Sequence, residues 1–177
     1  MKFRFIILVF VFYFSCSKIE PRKPIKPKPS TTILKETIKE SKILNKIEDD
    51  KILEIIKLDS INNYLVSSNG FWYTYVKKTA KKSLTPKTGD LVAIKYNVTD
   101  LQNNIIYSRE KLGVKEYIVD KEDFISALQS GIKLMKVGET ITFVIPSYNA
   151  FGISGDGDKI GINQSIKSTV TLININN

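Results

Sequence analysis

The sequence predicts an α+β fold, with a curled antiparallel β-sheet packed over a short central helix and an N-terminal helical extension. Three observations lead to this prediction. Segments that alternate apolar and polar residues, typical of half-buried strands, dominate the C-terminal part of the chain. Among them, Lys121 to Met135 repeats its apolar residues at helical spacing. Upstream, Thr31 to Val66 lacks Gly and Pro and is rich in Ile, Leu, Lys and Glu, which favours helix.

The N-terminus has the features of an export signal. Lys2 and Arg4 precede an apolar run from Phe5 to Phe14, which is too short to span a bilayer. A small residue then stands directly before Cys16, an arrangement that resembles the lipobox of bacterial lipoproteins. This resemblance implies that residues 1–15 are a lipoprotein signal peptide and that Cys16 is the lipid attachment site, carrying acyl chains such as palmitate. A plain signal peptide or an uncleaved anchor is the alternative.

Residues 16–32 are predicted to be a tether rich in Pro and Lys. The stretch PRKPIKPKPS, from Pro21 to Ser30, favours an extended polyproline II spacer with self-repelling charge. The alternative is a partner-binding motif, because Pro21 and Pro24 form a minimal PxxP pair.

Residues 33–68 are predicted to form the helical extension, ending at the turn-rich sequence Ser67 to Gly70. Ile52, Ile55 and Ile56 make a short apolar face at helical spacing. Two interpretations remain open: the helix packs on its own domain, or it forms a homodimer.

Residues 69–177 are predicted to form the α+β domain. Gly138 follows the central helix and closes a turn. Alternation in the predicted strand Asp90–Val98 places Val92, Ile94 and Tyr96 on one side. The predicted strands are Phe71–Val76, Asp90–Val98, Ile105–Ser108, Thr140–Ile145 and Ser168–Ile175.

Composition excludes several kinds of chemistry. The 177 residues include no histidine and one cysteine, so the chain has no Ser-His or Cys-His pair, no imidazole metal ligand and no internal disulfide. The formal net charge is +9, but the basic residues are scattered and no nucleic-acid motif is present, so we expect no nucleic-acid partner. The acidic stretch Gly155 to Asp158 lacks the ligands of a calcium loop and is interpreted as a hairpin tip. We expect neither a cofactor nor a metal.

The stretch GIKLMKVGETITFVIPSYNAFG, from Gly131 to Gly152, resembles the FKBP-type peptidyl-prolyl isomerase domain. The upstream segment GDLVAIKYNVTD and the closing segment KIGINQSIKSTVTLININ extend this resemblance over roughly Gly70 to Asn177. The helical prefix, the lipobox-like cysteine and the strand GFWYTY are also similar to the gliding-motility-associated FKBP-type lipoproteins, the GldI-like group.

The family resemblance implies an apolar pocket over the helix and a backbone N–H, at Ile125, that bonds a substrate carbonyl. Rotation about an Xaa–Pro amide breaks no bond, so a pocket that binds the twisted amide suffices without histidine or metal. The family's Phe-Asp pair is Ile106-Tyr107 here, its pocket Tyr is Phe151 and its pocket Phe is Ser168. The implied catalytic pocket consists of Tyr96, Ile106, Phe124, Ile125, Leu128, Phe151 and Ile160.

We therefore expect a peptidyl-prolyl cis-trans isomerase (rotamase) that helps exported, proline-containing polypeptides to fold. It would be anchored to a bacterial membrane through Cys16, facing the periplasm or the cell surface. The alternative is a catalytically weak FKBP-like binding or chaperone subunit of an envelope machine such as the gliding apparatus.

Overall fold

A computed structural model of the protein describes residues 30–80 and 83–176. The predicted signal peptide (1–15), Cys16 and the tether as far as residue 29 lie outside the described residues. The chain has two compact units, Met1–Ile38 and Lys39–Asn177. The described part of the first unit, residues 30–38, is helical.

The described residues form three α-helices, one 3₁₀ turn and eight strands. The helices are α1 (Ser30–Leu58), α2 (Arg109–Leu112) and α3 (Ser126–Ile132), and the 3₁₀ turn is Ser147–Asn149. The strands are β1 (Leu65–Val66), β2 (Trp72–Lys77), β3 (Leu91–Tyr96), β4 (Val98–Thr99), β5 (Ile105–Tyr107), β6 (Val114–Ile118), β7 (Thr140–Ile145) and β8 (Ile166–Asn176).

All strands belong to one antiparallel sheet in the order β1-β2-β7-β8-β3-β6, with β4 pairing both β5 and β8. The pairing shifts register at Val76, an extra residue in β2 opposite β7, and at Ile173, an extra residue in β8 opposite β3. Such bulges increase local twist and help a sheet to curl. The predicted α+β fold is confirmed.

The two faces of β8 show why this segment forms a central strand. Its side chains alternate between buried and half-buried positions from Ile166 to Leu172. The residues facing the core include Val170, whereas Thr169 and Thr171 form hydroxyl pairs with Thr142 and Thr140 of β7, at 2.8 and 2.9 Å. Cross-strand threonine pairs stabilise the outer face while apolar side chains fill the inner face.

Helix α3 packs its small and apolar residues against the inner face of the sheet. Ala127, Leu128, Gly131 and Ile132 are all buried. The helix is shorter than the predicted Lys121–Met135: Phe124 precedes it, and Met135 follows in a turn. Apolar residues at helical spacing therefore marked the buried side of the whole segment, although only its middle is helical.

Helix α1 ends earlier than the sequence predicted. It stops at Leu58 because the Asp59 carboxylate accepts the backbone N–H groups of Ile61 and Asn62, which turns the chain. The turn at 67–70 was expected to end the helix. Instead it joins β1 to β2. Of the two interpretations left open for the extension, packing on its own domain is observed at Ile52, which lies against Trp72 and Val144.

Candidate functional site

A pocket of about 370 Å³ opens beside the N-terminal end of α3. Three parts of the chain form it: the neighbouring ends of β3 and β6, the segment that enters α3, and the loop that follows β7. Its lining residues are Tyr96, Lys115, Asp123, Phe124, Ile125, Ala150 and Phe151.

Aromatic rings form one wall of the pocket. The ring of Phe124 meets that of Tyr96 edge to face, with centroids 5.5 Å apart, and lies 5.3 Å from that of Tyr117. Edge-to-face contacts of this kind fix ring orientation. The Lys115 ammonium lies 5.3 Å from the centroid of Phe124, so a cation stands at the rim of an otherwise apolar wall.

Tyr96 reaches the pocket because it continues the inward-facing alternation of Val92 and Ile94. Burial raises the pKa of the Tyr96 hydroxyl above its ordinary value. Since the ordinary pKa of tyrosine is already about 10, the hydroxyl is protonated at neutral pH and can donate a hydrogen bond.

Ile125 lines the pocket, and its backbone N–H donates to no acceptor among the described residues. Its carbonyl accepts the Gln129 N–H at 2.9 Å, the first bond of α3, and the Gln129 amide donates to the carbonyl of Phe124, also at 2.9 Å. These two bonds hold the segment that enters the helix.

The structure brings together four of the seven predicted pocket residues, and the other three are not among the lining residues. Tyr96, Phe124, Ile125 and Phe151 line the cavity. Leu128 and Ile160 are buried in the core, and half-buried Ile106 packs against it.

Three lining residues were missed by sequence reasoning: Lys115, Asp123 and Ala150. Lys115 lies on β6, a strand that the sequence analysis did not predict, as it did not predict α2. The alternation VKEYI, in which the fourth residue, Tyr117, is buried, was the available signal for this strand. Ala150 and Asp123 adjoin predicted residues, so chain proximity was their signal.

Tyr107, which stands where the family resemblance leads one to expect a carboxylate, bonds to the loop around Asp156. Its hydroxyl donates to Asp156 at 2.5 Å and to Asp158 at 3.2 Å. The hydrogen bond to Asp156, together with partial desolvation, raises the pKa of Tyr107 to about 12. Asp156 also accepts the backbone N–H groups of Asp158 and Ile160. No group of His, Cys, Asp or Glu suited to a metal ion occurs in the described part of the chain.

A larger groove, of about 470 Å³, lies between α1 and the loop after β7. Its aliphatic lining residues are Leu44, Ile47, Leu101 and Ile153, and its single aromatic lining residue is Tyr148. It has no aromatic wall comparable to that of the smaller pocket. We therefore assign the candidate site to the smaller pocket.

Comparison with known proteins finds relatives of the chain as a whole. Residues 82–173 match the family of FKBP-type peptidyl-prolyl cis-trans isomerases. A relative from Neisseria meningitidis serogroup B, named as a probable FKBP-type isomerase FkpA, is 28% identical over 109 residues, which are 62% of this chain. The chain spans only 39% of the length of that relative.

Two solved structures share the fold. FkpA from Escherichia coli superposes with a TM-score of 0.60 at 23% identity, covering 99% of this chain and 82% of the other. A peptidyl-prolyl cis-trans isomerase from Pseudomonas syringae pv. tomato gives a TM-score of 0.57 at 20% identity, covering 86% of this chain and 99% of the other.

Proposed function

Because the chain belongs to the FKBP-type peptidyl-prolyl cis-trans isomerase family, we propose that its pocket binds an Xaa–Pro segment and catalyses cis-trans exchange of that bond. The observation that carries the proposal is the free Ile125 N–H beside the aromatic wall of Tyr96, Phe124 and Phe151.

The chemistry requires differential binding rather than bond breaking. Amide resonance sets a rotation barrier of roughly 18–20 kcal/mol. The twisted amide has lost this resonance and is less dependent on solvation by water, so an apolar pocket favours it over the planar form. The Ile125 N–H would hold a substrate carbonyl in place during rotation. No proton is transferred, which suits a chain without histidine.

Replacing Ile125 tests the proposed donor. Its φ of −54° is compatible with proline, and the preceding residue is not helical, so Ile125→Pro removes the N–H with little backbone strain. We expect kcat/KM for a short Xaa–Pro peptide to fall about ten-fold, the effect of one hydrogen bond of about 1.4 kcal/mol. The control Ile125→Val keeps the N–H and should stay within about three-fold of the parent. Equal rates for the two variants would exclude the donor role.

A second candidate function is binding with little turnover. It is favoured by Phe151, which lacks the hydroxyl expected from the family resemblance, and by Tyr107, whose own hydroxyl is bonded to Asp156 and Asp158. The pocket then has few polar groups to orient a substrate. A folded sample that exchanges Xaa–Pro bonds no faster than buffer, yet binds proline-containing peptides, would favour this alternative.

The proposal extends to location and clients. We propose a GldI-like lipoprotein, anchored through acylated Cys16 in the bacterial cell envelope, with exported proline-containing polypeptides as clients. The sequence pattern of residues 1–16 supports this proposal. Among the described helices, none combines the length and apolar character needed to cross a bilayer. Mass spectrometry of the mature protein tests the proposed lipid anchor. Acyl chains on an N-terminal Cys16 would support the anchor, and an unmodified cysteine would refute it.

Self-association through α1 is a further part of the proposal. Ile43 and Ile47 are four residues apart and lie on one helical face, and Leu44 adjoins them. All three side chains are substantially exposed. A second copy of the helix would remove these apolar side chains from water.

A further inference from the structure

We propose that Glu48, on helix α1, is a positioning residue for the pocket: its carboxylate fixes the loop that carries Ala150 and Phe151. This loop, residues 146–152, is called the pocket loop below. The catalytic part of this inference rests on the proposed isomerase function, whereas the positioning part does not.

Glu48 is attached to the pocket loop by both of its carboxylate oxygens. Oε1 accepts the backbone N–H of Ser147 at 2.6 Å, and Oε2 accepts the Ser147 hydroxyl at 2.8 Å. Oε1 also accepts a short hydrogen bond from the hydroxyl of Ser165. Hydrogen bonds to a charged acceptor are stronger than neutral ones, and three of them restrain both position and orientation.

Ser147 passes this restraint on to the pocket wall. Its carbonyl accepts the N–H groups of Ala150 at 2.9 Å and Gly152 at 2.8 Å, the residues on either side of Phe151. The residue that Glu48 holds is thus the one around which the turn closes. Ala150 and Phe151 line the pocket of the candidate site, whereas Ser147 and Gly152 line the larger groove next to α1.

Helix α1 is a firm support at this point. Ile52, one turn further along, is fully buried against Trp72 and Val144. The neighbouring Asp49 accepts the hydroxyl of Tyr148 at 2.7 Å, a second bond between the helix and the pocket loop. Removing the Glu48 carboxylate would leave the buried Ser147 N–H without this acceptor, which favours rearrangement of the loop.

Two conservative substitutions separate the effect of the length of the Glu48 side chain from the effect of its charge. Glu48→Gln loses the charge but keeps the side-chain length, and its amide can still bond Ser147 and Ser165. Glu48→Asp keeps the charge but shortens the side chain by one methylene, so the carboxylate no longer reaches both serines. A positioning role predicts that Asp is the damaging substitution. A general effect of negative charge near the pocket predicts the opposite order.

The experiment uses the full chain in mild detergent, with the variants Glu48→Ala, Glu48→Asp and Glu48→Gln. The control is Glu54→Ala, which removes an exposed carboxylate from the same helix. We measure amide hydrogen exchange at Ala150 and Gly152, and kcat/KM for an Xaa–Pro peptide. Emission of Trp72, the single tryptophan, reports whether α1 remains docked.

We expect exchange at Ala150 and Gly152 to be about ten-fold faster in the Ala and Asp variants, unchanged at Phe143, and within about three-fold of the parent in Glu48→Gln. We expect kcat/KM to follow the same order, falling about ten-fold for Ala and Asp. If Glu48→Ala does not fold, the Asp and Gln variants decide the question.

Unchanged exchange in the Asp variant, or a loss of activity without faster exchange, would overturn the positioning role. If the parent has no isomerase activity, the proposed function fails, but the exchange data still test whether Glu48 holds the pocket loop.

Discussion

Individual residues fix the distance between α3 and the sheet, most clearly at Gly131. A methyl group at this position would lie 2.4 Å from Cε1 and 2.8 Å from Cζ of Phe143. The Phe143 ring is fully buried and also contacts the ring of Phe71, with centroids 5.8 Å apart, so it has little freedom to move away. The absence of a side chain at residue 131 therefore permits the helix to approach the core.

We expect Gly131→Ala to destabilise the protein by up to about 2 kcal/mol. The steric cost of overpacking, about 1–3 kcal/mol, exceeds the gain of about 1 kcal/mol in helix propensity. Urea unfolding measures the change. Ser126→Ala, an exposed substitution in the same helix, should shift stability by less than about 0.5 kcal/mol. A more stable Gly131→Ala protein would contradict the close packing at this position.

Asp120 gives a pH-dependent prediction at the same scale. Hydrogen bonds from Lys133, at 2.8 Å, and Thr88, at 2.5 Å, hold the pKa of its carboxyl below the ordinary value of 3.8. A group whose pKa is lower in the folded state stabilises it above the unfolded pKa, and this contribution is lost as the pH falls through the folded pKa.

We expect Asp120→Asn to lower stability at pH 7 by less than about 1 kcal/mol, because the ion pair is partly exposed and screened. Asparagine also tolerates the φ of 59° at this position. The difference from the parent should shrink as the pH falls below the ordinary pKa of 3.8 and disappear once the carboxyl of the folded protein is protonated. Urea midpoints across this range test the expectation, and a difference independent of pH would contradict it.

The family resemblance indicated the pocket residues, and side-chain patterning only placed two of them on structural elements. Tyr96 continues an alternating strand, and Phe124 begins the apolar series that leads into α3. Glu48 carried no such signal, because its three bonds join residues separated by 99 and 117 positions. Only the tertiary fold brings an ordinary helical glutamate to the pocket loop.

At the scale of elements, α1 is held to the domain by a small apolar cluster of its own. Ile52, Trp72 and Val144 form its buried centre, and half-buried Leu53 and Ile56 pack around them. The helical composition predicted the helix itself. The sequence could not predict the end of the helix at Leu58. That end depends on the Asp59 carboxylate accepting backbone N–H groups, and other Asp residues, at 49 and 50, lie within the helix without ending it.

We expect Ile52→Ala to destabilise the protein by about 2–4 kcal/mol, the usual cost of truncating a buried isoleucine. Because Ile52 contacts the only tryptophan, Trp72 emission should also shift to longer wavelength as water reaches the indole. Leu44→Ala is the matched control, since Leu44 is 62% exposed on the same helix. The docked helix would be refuted if both substitutions had equally small effects on unfolding and emission.

For the whole molecule, the arrangement of strands explains why the pocket could not be assembled from local sequence. Strand β8, last in the chain, lies between β3 and β7 and also pairs with β4. The pocket joins residues near 96, 115, 124 and 151, which become neighbours only after this sheet has formed. Local periodicity predicts strands and helices, whereas strand order follows from burial of the complete inner face.

The assembly of whole molecules is tested on the exposed part of α1. Ile43 and Ile47 are 51% and 47% exposed, and a helix that buries few of its apolar side chains is only marginally stable in water. If a second copy covers these side chains, sedimentation should show a concentration-dependent dimer, and amide exchange around residue 45 should slow as concentration rises. Ile43→Lys with Ile47→Lys should abolish both effects, because it would place charges in the apolar contact. Val76→Lys, which replaces an exposed apolar residue in β2, should leave the dimer intact. A single monomeric species at all concentrations, with fast exchange around residue 45, would contradict dimerisation.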